Sequence, residues 1–191
     1  MTEGSIEESP NNGLEVTVPA MRAYLNALTP QREEARFTYN GSTGNEKPLG
    51  SDEIRRQFGL KLHAEDACNL VDVMWRIDPD RKIVVSVKTN PGQHASAECG
   101  NRGCTNLKPA HSAPTPVVNS GETRSLCAQM DGAELSVYAD GTWVWQGQVG
   151  ADAAALSGPV GIRSDNAALQ IQLFTPDPSG APAACRKGET D

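Results

Sequence analysis

The side chains best suited to proton transfer in this sequence are His63 and Tyr39. An unperturbed imidazole has a pKa of about 6.5, which suits His63 to act as a general acid or base. His63 ends an alternating segment beside Glu65 and Asp66, where a surface histidine is the alternative interpretation. Tyr39 stands at the entrance of a glycine-rich loop and would complete an acid/base pair. The spacing does not show that the two meet, so both are candidate catalytic residues only if the protein is an enzyme.

Amide and charged side chains form a second candidate group, because they alternate with apolar residues along several segments. Successive side chains of a strand point to opposite faces, so each segment has an apolar face and a polar face. Planar amides and charged groups on the polar faces could hydrogen-bond sugar hydroxyls or a carboxylate. The alternative is the ordinary solvated side of an antiparallel sheet. The predicted ligand-binding residues are Gln57, Lys61, Asp72, Arg76, Lys88, Gln170 and Gln172, with Ser86 on the same faces and Arg163, beside Asp165, at the rim.

Several kinds of site are excluded because their motifs are missing. The sequence contains no nucleophile elbow, P-loop or dinucleotide-binding fingerprint. Cys99 and Cys104 do not have the spacing of zinc ligands, and no second Cys/His pair is near them. We therefore predict neither a metal nor a cofactor.

Residues 126–174 predict the fold most clearly. Short segments rich in aromatic and β-branched residues are separated by Asp131-Gly132 and Asp140-Gly141, which are strong signals for β-hairpins. These patterns predict an all-β, antiparallel two-sheet sandwich. Trp143 and Trp145 are predicted to share a face, as core residues or as a platform for sugar rings. The predicted core comprises Leu60, Val73, Trp75, Val85, Leu135, Val137, Ile162, Leu169 and Ile171.

The remaining segments predict how the chain is organised. Residues 1–13 are acidic and have little to bury, which is typical of a disordered tail. Residues 14–176 are predicted to form one sandwich domain, in which residues 89–124 are a long loop rich in Pro, Gly, Ser and Asn. Met21, Tyr24, Leu25 and Leu28 recur at helical spacing, so one short helix is expected over residues 20–28. Residues 177–191 are expected to be a C-terminal extension.

Two segments resemble the last part of concanavalin A-like jelly-roll domains, including laminin-G-like modules. They are residues 134–145 (ELSVYADGTWVW) and residues 158–166 (GPVGIRSDN), followed by a final alternating strand. The likeness covers about the final third of the chain, and its glycines serve turns and close backbone approach. It implies a jelly-roll sandwich that binds a glycan on its concave sheet. The paired acidic motif of jelly-roll glycoside hydrolases and the motifs of alginate lyases are absent, so no subfamily is assigned.

Composition limits the partners. The net charge of −7, from 17 basic and 24 acidic residues, disfavours a nucleic-acid binder, which needs clustered basic residues. No apolar run approaches the length of about 18 residues that crosses a bilayer. Residues 1–13 lack the features of a signal peptide, so we expect a cytoplasmic protein, or a secreted one whose export signal has been removed. The oligomeric state is not predicted.

The five cysteines leave at least one thiol unpaired within the chain. We expect Cys99 and Cys104 to form a local disulfide in an oxidising compartment. Cys127 lies in an apolar strand, where a thiol behaves as a small hydrophobe, so we expect it to be buried and free. Cys185 could attach the C-terminal extension to the domain.

The sequence leaves three functions open. We favour a carbohydrate-recognising, lectin-like domain, because the polar faces offer hydrogen-bonding groups while no paired carboxylates are found. The alternative is a small enzyme on the same fold, similar to a polysaccharide lyase, with His63 and Tyr39 as its acid/base pair. A module that binds a protein partner is third.

Overall fold

A computed structural model describes residues 3–9, 13–25, 31–174 and Cys185. The described chain forms two antiparallel β-sheets that enclose a single apolar core, together with two one-turn helices. The predicted antiparallel two-sheet sandwich is therefore confirmed.

The larger sheet has eight described strands, and it combines local hairpins with neighbouring strands that are distant in sequence. From one edge to the other, they lie in the order β1, β2, β14, β4, β10, β11, β12 and β9. Their bounds are β1 Glu7–Ser9, β2 Gly13–Val16, β14 Ala167–Phe174, β4 Arg32–Ser42, β10 Thr123–Asp131, β11 Glu134–Ala139, β12 Thr142–Gln148 and β9 His111–Ser112.

The smaller sheet has six strands, and its outer face carries the candidate site. Its order is β3, β13, β5, β6, β7 and β8. The bounds are β3 Ala20–Tyr24, β13 Gly161–Asp165, β5 Arg56–Leu62, β6 Asn69–Asp78, β7 Lys82–Thr89 and β8 Thr105–Asn106. The helices α1 (Ser96–Cys99) and α2 (Ala151–Ala154) lie in connections.

The core lies between the inner faces of the two sheets. Phe37 of the larger sheet contacts Phe58 and Trp75 of the smaller sheet, with ring centroids 4.8 and 5.6 Å apart. All nine residues predicted to form the core are at most 1% exposed. Period-two alternation therefore predicts the inner face of each strand.

Glycine allows close contact or tight turning at the two segments that carried the resemblance. Asp140 and Gly141 both have positive φ, 49° and 73°, and form the two-residue turn between β11 and β12. At Gly158 and Gly161, an added Cβ would lie 2.1 Å from the carbonyl carbon of Ala64 and 2.3 Å from the carbonyl oxygen of Ala23, respectively. No other residue fits these two positions without displacing backbone.

The predicted helix over residues 20–28 is wrong in its first part, because residues 20–24 form strand β3. All five residues of β3 pair with β13, more than 130 positions away in sequence, and Met21 enters the core. This tertiary pairing outweighs the local helical spacing. Residues 26–28 lie outside the described residues.

Two other segments contain more regular structure than the sequence indicates. Within residues 1–13, Glu7–Ser9 forms β1, whose main chain pairs with β2. Pairing of this kind needs no apolar side chain, which is why the composition does not predict it. Residues 89–124 contain α1, β8 and β9. Of the predicted extension, only Cys185 belongs to the described residues.

The predicted cysteine pairing is wrong. Cys99 bonds Cys68, Cys127 bonds Cys185, and Cys104 is free. Cys127 is buried as predicted, but it is not a free thiol. The bonded pairs are separated by 31 and 58 residues, so the fold and not the local spacing brings them together.

Trp143 and Trp145 do not share a face. The register between β11 and β12 shifts at Val137/Tyr138, and such a bulge rotates the side chains that follow it. As a result, Trp145 is 2% exposed in the core, whereas Trp143 is 40% exposed and stacks on His111 at 3.8 Å.

Within the described ranges, no helix is long and apolar enough to cross a bilayer.

Candidate functional site

A groove of about 900 Å³ lies on the outer face of the six-stranded sheet. Its floor consists of alternating residues from five strands, and residues 47–51 and the segment around α1 line its rim. The lining residues contributed by these five strands are Ala20, Arg22, Tyr24, Gln57, Lys61, Asp72, Met74, Arg76, Val84, Ser86, Lys88, Arg163 and Asp165.

The alternation of β5 and β6 explains why these side chains face the groove. Phe58 and Leu60 enter the core, which turns Gln57 and Lys61 outward. Between them, Gly59 leaves room for Met74. A Cβ at Gly59 would lie 2.4 Å from the Met74 sulfur and 2.4 Å from the Val73 carbonyl oxygen.

Asp72 is the first of two buried carboxylates on the floor. Its Oδ1 lies 3.2 Å from Lys61 Nζ, and its Oδ2 lies 3.3 Å from Arg163 Nη1. Burial opposes ionisation, but the charges of Lys61 and Arg163 outweigh it and lower the pKa of Asp72 to about 2. Asp72 is therefore a fixed negative charge at neutral pH.

Asp165 is the second buried carboxylate and is held by three donors. Arg22 Nη2 donates to its Oδ1 at 2.6 Å, while Gln57 Nε2 and Arg163 Nε donate to its Oδ2 at 2.7 and 3.0 Å. Burial again opposes ionisation, but Arg163 and Arg22 lower the pKa of Asp165 below its usual range. Arg163 thus joins the two carboxylates into one network.

Lys61 and Tyr24 form one wall of the groove beside this network. Lys61 Nζ lies 5.7 Å from the centre of the Tyr24 ring, within reach of a cation–π contact. Burial, reinforced by the negative charge of Asp72, raises the pKa of Tyr24 to about 12. Tyr24 therefore offers a neutral hydroxyl and a partly exposed ring.

The groove is locally cationic in an acidic protein. Its lining includes the basic residues Arg22, Lys47, Arg55, Lys61, Arg76, Lys88 and Arg163 and the acidic residues Glu3, Asp72 and Asp165. Seven positive and three negative charges give a net charge of +4, against −7 for the whole chain. Such a surface attracts anions.

The structure brings together six of the eight residues predicted from sequence to bind a ligand. Gln57, Lys61, Asp72, Arg76, Lys88 and Arg163 all line the groove. Gln170 and Gln172 do not join this face, because β14 belongs to the eight-stranded sheet, where both are exposed. Alternation predicts the face of a strand but not the sheet to which the strand belongs.

The two candidate catalytic residues lie apart from the groove lining. His63 follows β5, is 2% exposed and has a pKa lowered by burial. Tyr39 is on β4 of the other sheet and is 7% exposed in the core, where burial raises its pKa. Among the described residues, neither lines the groove.

Sequence reasoning missed Tyr24, Arg22 and Arg55. The first two were assigned to a helix, although Ala20, Arg22 and Tyr24 alternate with the buried Met21. A period-two interpretation of this segment would have placed Arg22 and Tyr24 on one face. No signal of this kind marks Arg55, which precedes β5.

No set of three or more His, Cys, Asp or Glu side chains that could hold a metal ion occurs within the described ranges.

Comparisons with known proteins identify the fold. No protein-family model matches the sequence, and no curated protein matches it significantly. Among solved structures, the carbohydrate binding module CBM66 from Bacillus subtilis has a TM-score of 0.60 at 13% identity, covering 89% of each chain. The carbohydrate recognition domain of Emp46p has a TM-score of 0.56 at 12% identity, covering 90% of this chain and 86% of that one. The fold is concanavalin A-like. The resemblance drawn from residues 134–145 and 158–166 is therefore confirmed at the level of fold.

Proposed function

We propose that this concanavalin A-like chain is a jelly-roll domain that recognises a carbohydrate in the groove of its six-stranded sheet. The observation that carries the proposal is the groove itself, in which donors, acceptors and an aromatic ring lie on one sheet face. Sugars present hydroxyls that both donate and accept, together with apolar C–H faces that pack on aromatic rings.

The buried network supports recognition because it fixes side chains before a ligand arrives. Gln57 and Arg163 are held by Asp165, and Lys61 is held by Asp72. Ordering side chains on binding costs about 0.5–1.5 kcal/mol for each, so a floor ordered in advance favours affinity. Tyr24, Ser86 and Lys88 line the same groove and complete a polar surface.

The similar structures give independent support. CBM66 and the Emp46p domain are described as a carbohydrate binding module and a carbohydrate recognition domain. At 12–13% identity, they support carbohydrate recognition by analogy of fold, and the choice of ligand depends on the residues of this groove.

A glycan array followed by calorimetry on the hits tests the proposal. We expect Tyr24→Ala to weaken binding at least tenfold, because it removes both the ring and the hydroxyl. Gln170→Ala, on the exposed face of the other sheet, is the matched control and should bind as wild type. A loss confined to Gln170→Ala would place the site on the eight-stranded sheet, and no binding across the array would contradict the proposal.

An activity assay on the same hits distinguishes a binding module from a lyase. Incubation with acidic polysaccharides should produce no absorbance from an unsaturated uronate. Turnover that disappears in His63→Ala would instead establish the enzyme.

A further inference from the structure

Arg55 and Arg76 both line one end of the groove. Gln57 of β5 pairs with Arg76 of β6, so Arg55, two residues before Gln57, lies beside the same end of the floor. The two positive charges are close enough that Arg55 helps to lower the pKa of Arg76, after the larger effect of burial.

Neither guanidinium has a buried counter-charge among the described residues. The Arg76 side chain is only 9% exposed, and its one ion pair is with Asp80 at 3.6 Å, which is 70% exposed. Arg55 pairs with Glu53, which is 56% exposed. The Nε atoms of both arginines are buried and have no hydrogen-bond partner within the described ranges.

The neighbouring strands β3 and β13 show how a buried arginine is paired on this floor. Arg163 and Arg22 both contact Asp165, whose side chain is 1% exposed. A buried donor left without a partner destabilises the protein, and a charged donor does so more than a neutral one. The Arg55/Arg76 end therefore carries unused capacity for an anion.

We propose that the glycan recognised by this groove is acidic, and that its carboxylate or sulfate binds between Arg55 and Arg76. This inference rests on the proposed carbohydrate recognition. The two guanidiniums present N–H donors in a planar arrangement that matches a carboxylate or sulfate. Asp80 and Glu53 are exposed to solvent, so they can keep their contacts with the two arginines while the anion binds in the groove.

An acidic oligosaccharide fits the groove better than a single small anion. Lys88 also lines the groove and pairs with Leu70, six residues along β6 from Arg76. Six residues of strand span about 20 Å, so positive charges occur at both ends of the floor. Nucleic acid is disfavoured because the chain as a whole carries a charge of −7.

The test compares acidic glycans with neutral versions of the same chains. Calorimetry should measure polygalacturonate, alginate, hyaluronan and heparin fragments, and the carboxyl-reduced or desulfated form of each that binds. We expect at least one acidic glycan to bind, and neutralisation to weaken it at least tenfold. Arg76→Gln should lower the affinity for the acidic glycan to that of its neutral form. Arg76→Lys should give an intermediate affinity, because lysine keeps the charge but not the paired N–H donors of the guanidinium.

Arg81→Gln is the charge-matched control, because Arg81 is exposed and does not line the groove. This variant should bind with the affinity of the wild type. Circular dichroism and urea unfolding of Arg76→Gln show whether the variant keeps its fold. Tighter binding of a carboxylated glycan or of a sulfated glycan shows which anion the site prefers, and either result supports the proposal.

Three results would overturn the inference. Equal binding of acidic and neutral forms, unchanged by Arg76→Gln, would refute the anion site while leaving carbohydrate recognition intact. Binding of no glycan at all would refute both proposals. Competition by single-stranded DNA at equal affinity would show a general polyanion surface.

Discussion

Replacing Asp72 by Asn tests whether the buried network stabilises the fold through charge. Asp72 is 2% exposed and lies within 3.3 Å of both Lys61 and Arg163. Asparagine has nearly the same shape but leaves both cations without this counter-charge. Removing one partner of a buried ion pair typically costs about 3–5 kcal/mol.

The pKa of Asp72 gives an independent magnitude. Its fall from an ordinary 3.8 to about 2 corresponds to roughly 2–3 kcal/mol. Because the folded-state pKa is the lower one, this stabilisation is complete above about pH 4 and is lost as the pH falls through about 2. We therefore expect Asp72→Asn to lose about 2–4 kcal/mol at pH 7, and this loss to become about 2 kcal/mol smaller at pH 2.

Urea unfolding from pH 7 to pH 2, followed by the fluorescence of the buried Trp75 and Trp145, measures both quantities. Glu8→Gln, an exposed acidic residue of β1, is the control for removing one negative charge. A loss below 1 kcal/mol at pH 7, or an equal loss at pH 7 and pH 2, would show that the charge of Asp72 does not stabilise the fold.

Two further predictions concern a buried carboxyl outside the groove and the cysteines. Burial raises the pKa of Glu33 to about 8, so the stability of the folded state should fall as the pH rises from about 5 towards 8. Glu33→Gln should therefore be more stable than wild type by about 3–4 kcal/mol at pH 8, but not at pH 5. Parallel pH profiles of the two proteins would refute this assignment. Thiol labelling of the native, unreduced protein should modify Cys104 alone. Each disulfide should contribute about 3–4 kcal/mol to the free energy of unfolding, because the bonds close loops of 31 and 58 residues. Mass spectrometry that finds a label on Cys99 without reductant would contradict the pairing.

The features predicted correctly from sequence are those that depend on near neighbours. The Asp140-Gly141 turn needs only two residues with positive φ, which their types supply. The inner faces of β5, β6 and β7 follow from strict alternation, because each strand has its apolar side against the core. Six of the candidate ligand residues meet in one groove for this reason.

The failures depend on contacts distant in sequence. A segment of five residues around Met21 fits both a helical and a strand period, and its pairing with β13 decides between them. Cys99 is five residues from Cys104, yet it bonds Cys68 at a separation of 31. Gln170 alternates correctly but belongs to a strand of the other sheet.

The outer face of the six-stranded sheet departs from the usual solvated face, and this departure links stability to recognition. Gln57, Lys61, Asp72 and Ser86 are all less than 9% exposed, although they face away from the core. Two carboxylates pair with three of the cations on this floor, which holds their side chains in place. Arg76 is equally buried but has no buried counter-charge among the described residues, so a bound anion would give Arg76 the pairing that Asp72 and Asp165 give to the cations of β3, β5 and β13. On this argument, the ligand should also raise the unfolding temperature, and it should do so less in Arg76→Gln than in Arg81→Gln.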